Sequence, residues 1–234
     1  MLIAHVSDIH LGATEHAAAR TAAVLAHLDR LTRQPDTVLI TGDLADSGAE
    51  GEYEQLRELL GDRDVLVCPG NHDRRDAYRK VLLGEPPADG PINAVADRAG
   101  VRIVLLDSTI PGEDGGRLDD ATLEFLDSAL TEAAGRPALV AFHHPPAELH
   151  VPFIDGIRQA GEQRLAAVLE RHPDVAAVLC GHAHTPAVTS FAGRRCSWRP
   201  ACCRRWGCRG RPTSWSTTAG RRRSRTTCST RTAG

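Results

Sequence analysis

The feature that most constrains the fold is a set of short apolar segments that end in metal-binding side-chain types. Five of these segments are followed by Asp8 and His10, by Asp43, by Asn71 and His72, by His143 and His144, and by His182 and His184. An apolar run that stops at a turn signal is typical of a buried strand. Helical patterns separate the segments, and this alternation predicts an α/β chain whose polar loops share one rim of a sheet.

The periodicity places the elements as follows. Strands are predicted at 3–6, 37–41, 64–68, 101–106, 138–142 and 175–180. Helices are predicted at 15–31, 52–60, 73–83, 118–134 and 161–171, with Asp73 as the candidate cap of the third helix.

The donor types at the strand ends are oxygen and imidazole. Cys68 and Cys180 lie inside predicted strands, so a thiolate site is not indicated. Mixed carboxylate, amide and imidazole ligation suits Mn, Fe or Zn. The number of candidate donor side chains exceeds the number that one ion binds, so the sequence favours two divalent ions. Asp43 is the natural candidate for a carboxylate that bridges them.

Two such ions support hydrolysis of a phosphoester. Ions about 3.5–4 Å apart hold a hydroxide and polarise a phosphoryl oxygen, which stabilises in-line attack at phosphorus. The leaving oxygen still needs a proton, and His72, next to Asn71, is the candidate donor.

The ordered motifs carry a family resemblance. Asp8-x-His10, Gly42-Asp43, Gly70-Asn71-His72-Asp73, His143 and Gly181-His182-x-His184 resemble the calcineurin-like metallophosphoesterase family over residues 1–192. His143-His144-Pro145-Pro146 and Gly116-Arg117-Leu118 are similar to bacterial class III cyclic-nucleotide phosphodiesterases and related glycerophosphodiesterases. The resemblance implies a four-layer α/β (α+β) fold, with a two-sheet β sandwich flanked by helices.

The resemblance also implies roles for individual residues. It assigns the first metal to Asp8, His10, Asp43 and His184, and the second to Asp43, Asn71, His143 and His182. His72 matches the proton donor or phosphate contact, so His72 and Asp43 are the expected catalytic residues. Asp73 is expected to orient His72 or a ligand.

The implied activity is the opening of 3′,5′-cyclic AMP to 5′-AMP by metal-bound hydroxide. One alternative is a glycerophosphodiester or another phosphoester. Another is an inactivated product whose basic tail binds nucleic acid, although nucleic acid is not the expected partner. The resemblance also suggests a homodimer.

Four further residues have interpretations of their own. Asp107 is expected to be structural, and His144 is expected to fix loop geometry. Arg74 is expected on a solvated helix face rather than against a phosphate. Asp46 is either a turn former or a carboxylate that supports a ligand, and the sequence does not rank these two.

The length of 234 residues suits one domain with an extension. No run of 18 apolar residues and no signal-peptide pattern is present, so the expectation is a cytoplasmic protein without a membrane partner.

The last 41 residues differ sharply from the rest. Residues 194–234 hold 12 Arg, five of the seven Cys and no acidic residue, whereas residues 1–193 carry a formal net charge of −14. The division predicted is a phosphoesterase domain at 1–193 and a disordered tail at 194–234. Three interpretations of this tail compete: an arm that binds nucleic acid, a Cys-based module, although no CxxC pair is present, and out-of-frame translation. The third is favoured. Out-of-frame translation implies that the β sandwich is incomplete at its C-terminus, and the nucleotide sequence of the gene would test this interpretation.

Overall fold

The computed structural model describes residues 1–201, in which two large β-sheets are stacked between two layers of helices and a third, small sheet has two short strands. The strands are β1 (Ile3–Val6), β2 (Thr37–Thr41), β3 (Val65–Cys68), β4 (Ala94–Arg98), β5 (Val101–Leu105), β6 (Gly116–Arg117), β7 (Ala138–Ala141), β8 (Gln159–Ala160), β9 (Val175–Cys180), β10 (Ala187–Phe191) and β11 (Arg194–Trp198). The helices are α1 (Ala17–Asp29), α2 (Glu50–Leu60), α3 (Arg75–Tyr78), α4 (Asp120–Thr131), α5 (Pro152–Gly156) and α6 (Glu162–Arg171).

The first sheet is parallel, in the order β1-β2-β3. Its central strand β2 is buried along its whole length, which is why its sequence reads as a continuous apolar run. The second sheet has the order β10-β11-β9-β7-β5-β4, and its strands β5, β7 and β9 are parallel to one another. The predicted ligands follow the carboxyl ends of β1, β2, β3, β7 and β9, so parallel pairing brings the loops of both sheets to one rim.

Three apolar clusters fill the spaces between the layers. Leu39, Ile103 and Ala141 belong to the cluster between the two sheets. A second cluster joins the outer face of the first sheet to α1, α2 and α3, and a third joins the second sheet to α4 and α6. The predicted four-layer sandwich is therefore confirmed.

The helix predicted at 73–83 begins later than expected, and its predicted cap is wrong. Helix α3 starts at Arg75 and continues as a π-helical turn over Arg79–Leu83. Arg74 has an extended backbone, with φ −108° and ψ 123°. The Asp73 carboxylate accepts hydrogen bonds from two neighbouring loops instead of capping the helix.

The prediction that residues 194–234 form no regular element is wrong at its start. Residues Arg194–Trp198 form β11, which pairs with β10 and with β9. The side chains of Cys196 and Trp198 are buried in the cluster under α4 and α6, where Cys acts as a small apolar residue. The rest of the predicted tail lies mainly outside the described residues, so the domain division stays a prediction.

Within residues 1–201, no helix is both long and apolar enough to cross a membrane.

Candidate metal centre

All seven predicted metal ligands meet at the shared rim of the two sheets. They are Asp8, His10, Asp43, Asn71, His143, His182 and His184, and all except Asn71 are buried. Backbone hydrogen bonds hold the ligand loops against one another, because the amides of Asp8 and His10 donate to the carbonyls of Gly42 and Asp43 at 3.1 and 2.9 Å. The site is therefore assembled by backbone contacts as well as by its side chains.

Five of these ligands lie on left-handed backbone. The φ angles of Asp8, His10, Asp43, His182 and His184 are between 48° and 68°. Non-glycine residues in this region cost roughly 1–3 kcal/mol each and persist where the surrounding structure over-determines them. Strain that concentrates in this way marks a site whose geometry serves something other than stability.

The donor atoms form a first group around one point. The Nε2 atoms of His10 and His184 lie 3.1 Å apart, and Asp8 Oδ1 lies 3.3 Å from His184 Nε2. Atom Oδ2 of Asp43 lies 3.3 Å from His10 Nε2. Donors around one ion with bonds of about 2.1 Å lie roughly 3.0–3.4 Å apart, so these distances suit a shared cation.

A second group lies beside the first and shares Asp43. Atom Oδ1 of Asn71 lies 3.0 Å from His143 Nε2 and 3.1 Å from His182 Nδ1. Atom Oδ2 of Asp43 lies 3.4 Å from His143 Nε2. The same carboxylate oxygen thus contacts one histidine of each group.

The electrostatics of the cluster favour a cation. Asp43 is 2% exposed, and within residues 1–201 its carboxylate forms ion pairs only with histidines. Burial opposes its charge, but the nearby His143 ring holds the pKa of Asp43 well below the usual value. Burial also opposes charge on His143, yet Asp43 outweighs it and raises the His143 pKa to about 9. Buried carboxylates need a counter-charge or a metal, so the residues fit a divalent metal centre.

Ligand orientation is fixed by groups behind the ligands. The Nδ1 atom of His143 donates to the carbonyl of Thr41 at 2.8 Å, which turns Nε2 toward the cluster. The Nδ1 atom of His10 lies 3.1 Å from Asp46 Oδ1. Partners of this kind set the tautomer and direction of a histidine ligand. Asp46 therefore supports a ligand, which decides the alternative that the sequence left open.

His72 lies at the edge of the cluster and faces a cleft of about 940 Å³. Its Nδ1 atom donates to the Asp46 carbonyl at 2.7 Å, so Nε2 is directed elsewhere. Its backbone amide donates to Asp43 Oδ1 at 3.1 Å. Burial disfavours the charged ring, but Asp43 and the Asp46 contacts outweigh it and raise the pKa of His72. The ring of His72 thus lies beside the cluster with Nδ1 engaged and Nε2 left for another partner.

Asp73 joins two of the ligand loops. Its carboxylate accepts hydrogen bonds from the amides of Gly70, Leu44 and Ala45 and from the Tyr53 hydroxyl, at 2.8–3.1 Å. Burial and the charge of Asp43 raise its pKa to about 6, against the effect of those amides. Asp73 thus supports the loops rather than the His72 ring.

Replacing Asp73 by Asn should lower the free energy of unfolding by about 2–4 kcal/mol, because the amide nitrogen leaves buried donors unpaired. Urea unfolding in the presence of chelator measures this loss. The control is Asp76→Asn, whose carboxylate accepts from the adjacent Ala77 amide and is otherwise exposed. Equal midpoints for the two variants would contradict this role of Asp73.

His144 and Asp107 have the predicted supporting roles. Atom Nδ1 of His144 lies 2.8 Å from Ser108 Oγ, and Nε2 lies 3.2 Å from the Asp114 carbonyl. The Asp107 carboxylate accepts from Arg75, Ile92 and Thr109. His144 stands close enough to His143 and His182 for a metal group, but its two nitrogens are engaged in holding the cleft wall.

The sequence of the chain is similar to those of known proteins. The sequence model for the calcineurin-like phosphoesterase family matches residues 1–186. A cAMP/cGMP dual specificity phosphodiesterase from Mycobacterium tuberculosis is 34% identical over 217 residues, which are 86% of this chain and 67% of that protein. A glycerophosphodiester phosphodiesterase from Enterobacter lignolyticus is 32% identical over 216 residues, which are 86% of this chain and 77% of the other.

A solved structure shares the fold. A dimetal phosphatase from Danio rerio superposes with a TM-score of 0.70 at 16% identity, covering 86% of this chain and 88% of that one.

Proposed function

The chain belongs to the calcineurin-like phosphoesterase family, and from that premise we propose that this metal-dependent phosphodiesterase opens 3′,5′-cyclic nucleotides, with cyclic AMP as the preferred substrate. The reaction adds water across a P–O bond of the cyclic phosphodiester and releases the 5′-monophosphate. The observation that carries the two-metal form of the proposal is the position of Asp43 Oδ2, 3.3 Å from His10 Nε2 and 3.4 Å from His143 Nε2.

We assign two divalent ions, either Fe, Mn or Zn, to the two groups of donors. Asp8, His10, Asp43 and His184 would hold the first, and Asp43, Asn71, His143 and His182 the second. When bound, such ions activate water and polarise a phosphoryl oxygen.

The remaining chemistry belongs to the chain itself. His72 would donate the proton of its Nε2 to the leaving oxygen, because Nδ1 is held by the Asp46 carbonyl and the ring faces the cleft. Burial disfavours charge on the ring, but Asp43 and the Asp46 contacts outweigh it and raise the pKa of His72 above its ordinary value, which favours the protonated form. Asp46 contributes twice, since its carboxylate orients His10 and its carbonyl orients His72.

A substrate panel tests the proposal. The purified chain should hydrolyse cyclic AMP when Mn²⁺ is present and lose this activity with chelator, and added Mn²⁺ should restore it. The kcat/KM for cyclic AMP should exceed those for a glycerophosphodiester and a phosphomonoester by at least roughly tenfold, a difference in transition-state stabilisation of about 1.4 kcal/mol.

The glycerophosphodiester is the second candidate substrate. A glycerophosphodiester phosphodiesterase is nearly as similar to this chain as the cyclic-nucleotide enzyme, at 32% against 34% identity. A higher kcat/KM for glycerophosphoethanolamine than for cyclic AMP would transfer the assignment to that class. Hydrolysis of every substrate in the presence of chelator would overturn the metal-dependent mechanism.

A further inference from the structure

The side chain of Arg74 is held in one direction at the cleft. Its stem packs on Gly48, where an added Cβ would lie 3.0 Å from the Cβ of Arg74. Its Nε atom donates to the Ser47 carbonyl at 3.1 Å, and its backbone amide donates to the Tyr53 hydroxyl at 2.9 Å. Arg74 is exposed, as the sequence suggested, but it precedes the helix instead of lying on its face, and it lines the cleft.

Arg74 lies next to His72. The two side chains are anchored on successive carbonyl oxygens of one loop, His72 on that of Asp46 and Arg74 on that of Ser47. Both residues line the cleft of about 940 Å³ that opens beside the metal ligands. A molecule that reaches His72 is therefore presented to the guanidinium of Arg74 as well.

The guanidinium of Arg74 keeps donors for a ligand, unlike that of Arg75. Arg75 also lines the cleft, but it is paired with Asp107 at 2.8 Å and donates to the carbonyls of Asp89 and Thr109. Within residues 1–201, the guanidinium of Arg74 forms no ion pair and donates one hydrogen bond, from Nε to the Ser47 carbonyl. A guanidinium has five N–H groups, so four stay available.

The charges around the cleft explain why a cation is needed there. Asp76, Asp89 and Asp114 also line it. A phosphodiester is an anion, and these carboxylates oppose its approach. An arginine offers a planar pair of donors that matches two phosphate oxygens, so Arg74 has both the charge and the geometry for the substrate.

We propose that Arg74 binds an anionic oxygen of the substrate phosphodiester beside His72 and so contributes to substrate affinity. This inference rests on the proposed function, because it names a further binding residue for the same reaction. Arg74 acts on binding, while the metal ligands and His72 act on the chemical step.

The test compares Arg74→Gln with the unchanged chain, both loaded with Mn²⁺. Glutamine keeps part of the stem and a donor for the Ser47 carbonyl but removes the charge. We expect KM for cyclic AMP to rise about tenfold or more, as for loss of a charge-assisted hydrogen bond, with kcat changed less than about threefold. The dependence of kcat/KM on ionic strength should also weaken.

Arg63→Gln is the matched control. It removes the same charge from an exposed arginine that pairs with Asp29 and does not line the cleft. Its KM and its salt dependence should equal those of the unchanged chain. If Arg74→Gln matches this control, Arg74 only anchors the loop at Ser47 and the inference is wrong.

A binding measurement separates this inference from the proposed function. Calorimetry with inorganic phosphate and the Mn²⁺-loaded protein needs no turnover. If the unchanged chain hydrolyses no cyclic nucleotide but binds phosphate about tenfold more tightly than Arg74→Gln, the proposed substrate fails and the role of Arg74 stands. Equal phosphate affinities would reject Arg74 as an anion contact whatever the substrate proves to be.

Discussion

Replacing Asp43 by alanine should abolish turnover, with kcat/KM lowered by on the order of a thousandfold or more, since one oxygen contacts both groups of proposed metal ligands. The Oδ2 atom of Asp43 contacts His10 and His143, and Oδ1 accepts from the His72 amide. The change therefore affects both groups of donors and the loop that carries His72, the proposed proton donor. Near-normal hydrolysis of cyclic AMP would contradict the assignment of the site.

A second readout for Asp43 does not depend on activity. Metal that binds the folded state raises its stability by mass action. Added Mn²⁺ should therefore raise the Tm of the unchanged chain and leave that of Asp43→Ala nearly constant. Asp62→Ala, in an exposed position after α2, should keep the full increase. The same increase in both variants would remove Asp43 from the metal centre.

Replacing Gly70 by alanine should also abolish activity, because no room for a Cβ exists between two ligand loops. A Cβ at Gly70 would overlap the Asp43 carboxylate and the Asp43 amide, and it would lie 2.9 Å from His143 Cε1. The backbone contact cannot be relieved by a rotamer change, so the loops must separate. Overpacking of this kind costs about 1–3 kcal/mol, and a displaced Asp43 no longer joins the two groups.

Gly51→Ala is the matched control for Gly70→Ala. Gly51 lies in α2, and a Cβ there would meet no atom within 4 Å. Alanine in a helix is favoured over glycine by up to about 1 kcal/mol, so this variant should be at least as stable as the unchanged chain and fully active. The Mn²⁺-dependent rise in Tm and kcat/KM should both be lost in Gly70→Ala. Retention of both would show that the two ligand loops tolerate separation.

The sequence predicted the strands that carry the ligands better than the elements around them. Strands β1, β2 and β9 have the predicted bounds because each is a short, mainly apolar run that ends at a turn signal, although only β2 is buried along its whole length. Strand β4 was missed because it lies at a sheet edge and its residues are half-exposed or exposed. Strand β11 was missed because its sequence lacks Val, Leu and Ile, although its neighbours β9 and β10 supply the pairing.

The sequence predicted the donor residues of the candidate site but not the residues that hold those donors in position. Asp43 and the histidines were found because their side-chain types recur after apolar runs. The support of a ligand by Asp46 was one of two alternatives that the sequence could not rank, since a carboxylate three residues after Asp43 also suits a turn. The role of Asp73 depends on Leu44, Ala45 and Tyr53, which are distant in sequence and carry no motif.

The sequence by itself determined which atoms are available as ligands, because side-chain chemistry and the strand-then-loop order are local properties. Only the tertiary structure decided which donors share a point, that Asp43 contacts both groups, and that Arg74 faces the cleft. These properties depend on the parallel pairing of strands and the contacts between loops far apart in the chain. The physical reason is that distances of about 3 Å between donor atoms are fixed by packing, which no local pattern encodes.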